Sequence, residues 1–144
     1  MRNVSKILLL LAIPFLITAC SKSNDDPGTN DSLTTILTQG TWTVHYYKNN
    51  GADETGNYTG YVFTFNTNGS LGAEKAGNNT AGTWSESTDS YSKTKLSFTW
   101  IGGGIPVELL KIEEDWVLKA KSSTLVELTN TGSSGTSELH LHKQ

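Results

Sequence analysis

The chain has 144 residues, one cysteine and a formal net charge of −3, which is enough for one domain with a core and too little for two. Proteins that bind nucleic acid carry basic patches, so the acidic balance argues against such a partner. A lone cysteine excludes an intrachain disulfide or a thiolate metal cluster, and the fold must therefore rest on packing.

The first 20 residues have the pattern of an export signal. Arg2 and Lys6 give a positive start, and residues 7–17 form an apolar run that is too short to span a bilayer, which takes about 20 residues. Cleavage after residue 19 would change the net charge from −3 to −5, because two of the eleven basic residues lie in the leader. No arginine would then remain to clamp a carboxylate or phosphate.

Residues 17–20 read Ile-Thr-Ala-Cys, which resembles the lipobox of bacterial lipoproteins. This resemblance implies a signal peptide at residues 1–19 and acyl chains on Cys20, which would hold the protein on a membrane durably. The alternative is an ordinary secretory signal in which the cysteine occurs by chance. An anchored protein of this kind is expected at the outer membrane.

Residues 20–30 are polar and lack apolar periodicity, so we expect a flexible tether. Asp25 and Asp26 resemble the surface-export signal of Bacteroidetes lipoproteins, which favours a domain that faces outside; a merely solvated linker is the alternative. Asp-Ser-Leu at residues 31–33 resembles an O-glycosylation sequon of the same phylum. Ser32 is therefore a candidate acceptor, although it also suits a helix cap.

Residues 31–144 are expected to form the folded domain, beginning with one short helix. Leu33, Ile36 and Leu37 recur at helical spacing, and Gly40 suits a helix end. A period of two follows at residues 41–47, so that the aromatic and aliphatic members at 42, 44 and 46 share one face of a strand.

The remaining chain alternates short strands with turns. Strands are predicted at residues 58–66, 70–76, 80–86, 95–101, 105–112, 116–121, 124–129 and 137–143, with a hairpin turn at 66–69. There is no room for crossover helices, so neighbours should pair antiparallel. The prediction is an all-β, up-and-down meander barrel of eight strands, with nine as the alternative, because closure removes exposed edges.

The leader, the short helix, the Gly-Thr-Trp at residues 40–42 and the strand meander together resemble the lipocalin-like lipoproteins of Bacteroidetes. In that superfamily the tryptophan, here Trp42, seals the closed end, often beneath an arginine of the last strand. Lys143 is the candidate substitute for that arginine. The resemblance also implies a lid over the open end at residues 49–57, whose alternative is an ordinary mobile loop.

Aromatic residues crowd the predicted inner faces. An eight-stranded barrel is just wide enough to be filled by side chains or to hold one small ligand. A ligand site for a small apolar or aromatic molecule would be lined by seven of these residues, namely Trp42, Tyr46, Tyr61, Phe63, Phe98, Trp100 and Trp116. A barrel packed solid, acting as a non-catalytic interaction module, is the alternative.

Other constellations are weaker. His140 and His142 share one face of a strand and could form half of a metal site with His45, but two solvated histidines are the favoured interpretation. The acidic residues 113–115 are typical of a charged turn. No nucleophile motif or phosphate loop is present in the sequence. We therefore expect no enzyme, no cofactor, no metal, and a monomer that binds the membrane through its anchor.

Overall fold

The computed structural model describes residues 30–144. The predicted signal peptide at residues 1–19, the predicted lipidation site Cys20, and Asp25 and Asp26 lie outside the described residues. In chain order the elements are α1 (Leu33–Leu37), β1 (Thr41–Asn49), β2 (Ala52–Asp53), a 3₁₀ turn (Thr55–Tyr58), β3 (Val62–Phe65), β4 (Ser70–Lys75), β5 (Asn78–Thr88), β6 (Thr94–Trp100), α2 (Val107–Leu110), β7 (Asp115–Lys121), β8 (Leu125–Gly132) and β9 (Gly135–Lys143). In this part of the chain no helix is long and apolar enough to cross a membrane.

Eight of the nine strands close into a barrel in which all pairings are antiparallel. The sheet runs in sequence order from β3 to β9, and β1 closes it by pairing with β3 on one side and with β9 on the other. The two residues of β2 pair with the end of β1 and lie outside the barrel wall. The predicted all-β, up-and-down barrel with one short N-terminal helix is therefore confirmed.

Helix α1 forms where its apolar spacing predicts. The Ser32 hydroxyl accepts a hydrogen bond from the backbone N–H of Thr35 at 3.0 Å, so Ser32 is the N-cap. Leu33, Ile36 and Leu37 are all buried, which places one apolar face of the helix against the barrel interior. The helix thus plugs the end of the barrel at which β1 begins.

Two contacts fasten this plug to the wall. The Glu86 carboxylate on β5 accepts hydrogen bonds from the backbone N–H of Thr34 at 2.8 Å and from its hydroxyl at 2.6 Å. The indole N–H of Trp42 donates to the carbonyl of Leu37 at 2.9 Å. Backbone groups that a short helix leaves unpaired are therefore bonded by side chains of the wall.

A β-bulge in the middle of β1 changes which of its side chains point into the barrel. Trp42 and Val44 face inward as predicted, but the pairing with β9 slips between Val44 and Tyr46, so His45 has no cross-strand partner. Tyr47 is consequently buried at 1% exposure, whereas Tyr46 is half-buried against the ring of a histidine of β9. The predicted inward position of Tyr46 is wrong, because an inserted residue reverses the alternation of everything after it.

The prediction of a strand at residues 105–112 is also wrong. Pro106 has no N–H to give to a sheet, and it stands at the N-cap of the four-residue helix α2. The apolar residues Ile105, Leu109 and Ile112 pack on the core at the i, i+4, i+7 spacing of a helix. The ninth strand is instead β2, within the segment predicted as a lid.

Aromatic rings fill the interior. Six of the seven residues predicted to line a ligand site are buried there, namely Trp42, Tyr61, Phe63, Phe98, Trp100 and Trp116. Neighbouring ring centroids lie 5.0–6.4 Å apart along a series that runs through Tyr47, Tyr58, Tyr61, Phe63 and Trp100. Rings at these separations contact one another, which is typical of a packed core.

Candidate functional site

The mouth of the barrel, defined as the end at which β1 ends and β9 begins, lies opposite α1 and is covered by α2. Leu109 of α2 and Ile112 in the turn after it are buried at 0% and 1% exposure, so this segment inserts its apolar side between the strand ends. Its outer side carries Val107, exposed at 67%, and Leu110, exposed at 48%. Helix α2, rather than the predicted lid at residues 49–57, closes the mouth.

Four aromatic side chains hold α2 in place. A helix leaves its last four carbonyls without donors inside the helix, and a four-residue helix has no other carbonyls. Ring donors bond two carbonyls of α2 and two of the turn that follows it: Tyr58 Oη donates to Glu108 O at 2.6 Å, Trp100 Nε1 to Leu109 O at 2.8 Å, Tyr47 Oη to Lys111 O at 3.0 Å and Trp116 Nε1 to Ile112 O at 3.0 Å. The polar tips of the packed rings therefore serve as a latch for the helix.

Ion pairs flank this latch on both sides. Lys111 pairs with Glu54, and the Lys111 ammonium holds the pKa of that carboxyl below its usual range. On the other side Lys75 pairs with Glu108, with Nζ 3.9 Å from Oε1, and the Tyr61 hydroxyl donates to the same Oε1 at 2.9 Å. These pairs are partly exposed, so they fix geometry more than they add stability.

Burial makes the tyrosines of the mouth weak acids. Loss of hydration, followed by the Glu54 carboxylate, raises the pKa of Tyr47 to about 12. Loss of hydration, followed by the Glu108 carboxylate, raises the pKa of Tyr61 to about 12. The pKa of Tyr58 is raised for the same first reason. All three hydroxyls therefore stay protonated at neutral pH and can act as donors.

A cleft of about 700 Å³ opens beside α2. Its lining has an apolar part, Ile101, Ile105 and Pro106, and a polar part formed by Asn79 and its strand neighbours at the start of β5. Tyr61 also contributes to the lining. Ile101 is 57% exposed, and Pro106 is the N-cap of α2, so the cleft borders this helix. A mixed cleft next to exposed apolar groups is the best candidate for contact with a ligand or partner.

Glycines separate β6 from α2 at this cleft. Gly102 and Gly104 take φ values of +110° and +72°, which favour glycine, and a Cβ added at residues 102–104 would meet nothing within 4 Å. The segment is therefore loosely surrounded, in contrast to the helix that follows it.

Neither the three histidines nor the acidic turn forms a three-ligand metal site in residues 30–144. Among residues 30–144 no group of three histidine, cysteine or acidic side chains is placed to hold a metal ion. The acidic residues 113–115 instead bond to neighbouring strands: Glu113 accepts from the backbone N–H of Trp100 at 3.4 Å, and Glu114 accepts from Asn130 at 3.0 Å. The site that sequence analysis missed is α2 with its latch. The helical spacing of residues 105, 109 and 112 was the available signal.

No protein-family model matches this chain, and no curated protein matches it. The chain is similar to the crystal structure of a DUF4847 family protein from Bacteroides vulgatus ATCC 8482, with a TM-score of 0.50 and 16% sequence identity. The alignment covers 78% of this chain and 99% of that one. At this identity the likeness concerns the fold alone.

Proposed function

We propose that the chain is a lipid-anchored, non-catalytic binding module of the outer membrane that contacts its ligand or partner at the mouth of the barrel. The observation that carries the proposal is that the apolar side chains fall into two groups, one packed inside the barrel and one exposed at its mouth. The interior rings are used in packing, whereas Ile101 is exposed in the lining of an open cleft, and Val107 and Leu110 are exposed on α2, whose N-cap Pro106 also lines that cleft. Exposed apolar groups that border a cleft favour binding.

The positions of the two ends support this arrangement. The described chain starts at Asn30 next to α1, and the predicted anchor Cys20 precedes it by ten residues, which reach at most about 36 Å when extended. The nine residues of β1, about 30 Å long as a strand, run from the plugged end to the mouth. An anchor at Cys20 would therefore join the domain at its plugged end, away from the mouth.

A second candidate is the binding of a small apolar or aromatic molecule inside the barrel after α2 swings away. The loosely surrounded glycines at residues 102–104 favour it, because they would act as a hinge. The ring latch and the filled interior oppose it. We therefore place the ligand at the cleft in the first instance.

The anchor is tested by replacing the predicted lipidation site in the native host. Cys20→Ala should abolish acylation and release the protein from the membrane fraction, whereas Ser21→Ala should behave like the parent chain. For the surface-facing orientation, Asp25→Asn combined with Asp26→Asn should protect the domain from protease added to intact cells. Unchanged membrane retention of Cys20→Ala would refute the anchor.

The binding face is tested with a photo-crosslinking residue placed at Val107 on the mouth and, as a matched control, at the exposed Gln39 of the plugged end. Crosslinked products in intact cells should form from position 107 and not from position 39. Native mass spectrometry of the protein purified from its host reports a small bound molecule. Equal crosslinking from both ends, together with a protein free of bound molecules, would overturn the proposal.

A further inference from the structure

The bulge in β1 changes which histidine of β9 lies beside His45. In an unbroken ladder His45 would stand opposite His140, because Val44 is opposite Leu141. The bulge gives the place opposite His140 to Tyr46 and leaves His45 without a cross-strand partner. The His45 ring lies instead beside His142, with the two ring centroids 5.8 Å apart. Bulges commonly re-aim a side chain in this way.

The two imidazoles of this pair are available to a ligand. Both residues are exposed on the outer surface of β1 and β9, and within residues 30–144 neither ring makes a hydrogen bond or an ion pair. The third histidine differs: His140 is only 18% exposed, its ring contacts Tyr46 at 5.0 Å, and Glu138 lies 3.8 Å from its Nε2. The structure thus separates an open pair from a packed third ring.

The separation suits chelation. A metal ion about 2.0–2.1 Å from one nitrogen of each ring needs the two nitrogens about 3–4 Å apart. Centroids 5.8 Å apart meet that requirement after rotation of the exposed side chains. Imidazole nitrogen favours late first-row divalent ions, and among these Cu²⁺ binds a given site most tightly.

We propose that His45 and His142 form a two-imidazole chelating site for a divalent transition-metal ion, and that this site binds Cu²⁺ most tightly. Water, or a donor from a bound partner, completes the coordination. The site lies on the outer wall of β1 and β9, and it is independent of the function proposed for the mouth.

The test is Cu²⁺ titration of the full-length, acylated chain in detergent, followed by calorimetry and by electron paramagnetic resonance. The reference is the double variant His45→Gln/His142→Gln, which leaves any other copper-binding group in place. The parent chain should bind one more Cu²⁺ ion than the double variant, with two nitrogen ligands in its spectrum. Each single variant should weaken this binding about tenfold or more.

The matched control is His140→Gln, which removes the third histidine of the same two strands and should leave the extra copper site unchanged. Thermal unfolding of each variant without metal verifies that the barrel is intact. Equal copper binding by the parent chain and the double variant would overturn the proposal, as would an equal loss in His140→Gln. If the glutamine variants do not fold, the same copper titration is made with His45→Asn and His142→Asn.

Discussion

Lys143 on β9 lies directly opposite Trp42 on β1, and its side chain passes through the space that Gly40 leaves open by having no Cβ. A Cβ built on Gly40 would stand 3.0 Å from Lys143 Cε. Lysine therefore occupies the place on the last strand beside the tryptophan where the sequence resemblance implies an arginine. Gly40 also takes a φ of +116°, so its conformation favours glycine, and a side chain there would in addition have to displace the end of Lys143.

Gly40→Ala should lower the free energy of unfolding by about 1–3 kcal/mol, because a side chain at this φ is strained. Urea denaturation measures the change. Gly103→Ala is the matched control: residue 103 has no positive φ and an added Cβ meets nothing, so its effect should stay within about 0.5 kcal/mol. Adding Lys143→Ala to Gly40→Ala should recover only the part of the loss that comes from crowding. Equal effects at residues 40 and 103 would contradict the argument.

Because ring donors hold α2, removal of a single latch hydroxyl should lower the stability of the protein. Tyr58→Phe should lower the free energy of unfolding by about 1–3 kcal/mol, because the Glu108 carbonyl loses its 2.6 Å donor inside the protein. Amide hydrogen exchange in α2 should become faster. Tyr91→Phe is the control, since this ring is 81% exposed. A Tyr58→Phe protein as stable as Tyr91→Phe, with unchanged exchange, would refute the latch.

The tyrosines of the mouth predict a loss of stability at high pH. Burial raises the pKa of Tyr47 and Tyr61 from 10.0 to about 12, so folding favours the protonated hydroxyls. Their contribution to stability is fully present below pH 10 and is lost as the pH rises towards 12. Unfolding in urea at a series of alkaline pH values measures this loss.

The matched comparison for this pH effect is the double variant Tyr47→Phe/Tyr61→Phe. Its stability should start lower but fall less steeply above pH 10, because two of the shifted groups are gone. The difference between the two curves is the quantity compared, because the two proteins differ only at these two hydroxyls. Parallel curves would show that these two hydroxyls do not titrate as their surroundings imply.

The plug predicts a specific role for one carboxylate. Glu86→Ala should lower the free energy of unfolding by about 1–3 kcal/mol, because two hydrogen bonds from Thr34 lose their acceptor. Proteolysis near α1 should become faster at the same time. Glu74 is exposed on β4, and Glu74→Ala should leave both quantities near those of the parent chain. If the two alanine variants match, the carboxylate does not fasten the plug.

Local sequence features predicted much of the fold. The apolar spacing of Leu33, Ile36 and Leu37 placed α1 because these contacts repeat within one helical turn. Alternation placed most of the strands, and the turn at residues 66–69 has Gly69 at a φ of +81°, as a tight hairpin requires. The number of strands and the short connections then left an antiparallel barrel as the economical closure.

Two features needed the tertiary structure. The bulge at His45 leaves no mark in the alternation of residues 41–47, because a bulge is set by pairing with a distant strand. Its effect is that Tyr47, and not Tyr46, is buried in the core. Helix α2 occurs in a stretch of apolar residues that suits either a strand or a helix. Carbonyls of α2 and of its C-cap are bonded by rings far away in sequence, Tyr58 and Tyr47.

The sequence by itself therefore determined the closed barrel, the plug and the aromatic inner faces, since these follow from periodicity and local conformation. Only the tertiary structure decided that the rings are used up in packing, that α2 covers the mouth, and that His45 stands beside His142. The physical reason is the same for all three. Each depends on which distant strands meet and in which register, and that is a property of the closed sheet rather than of any one segment.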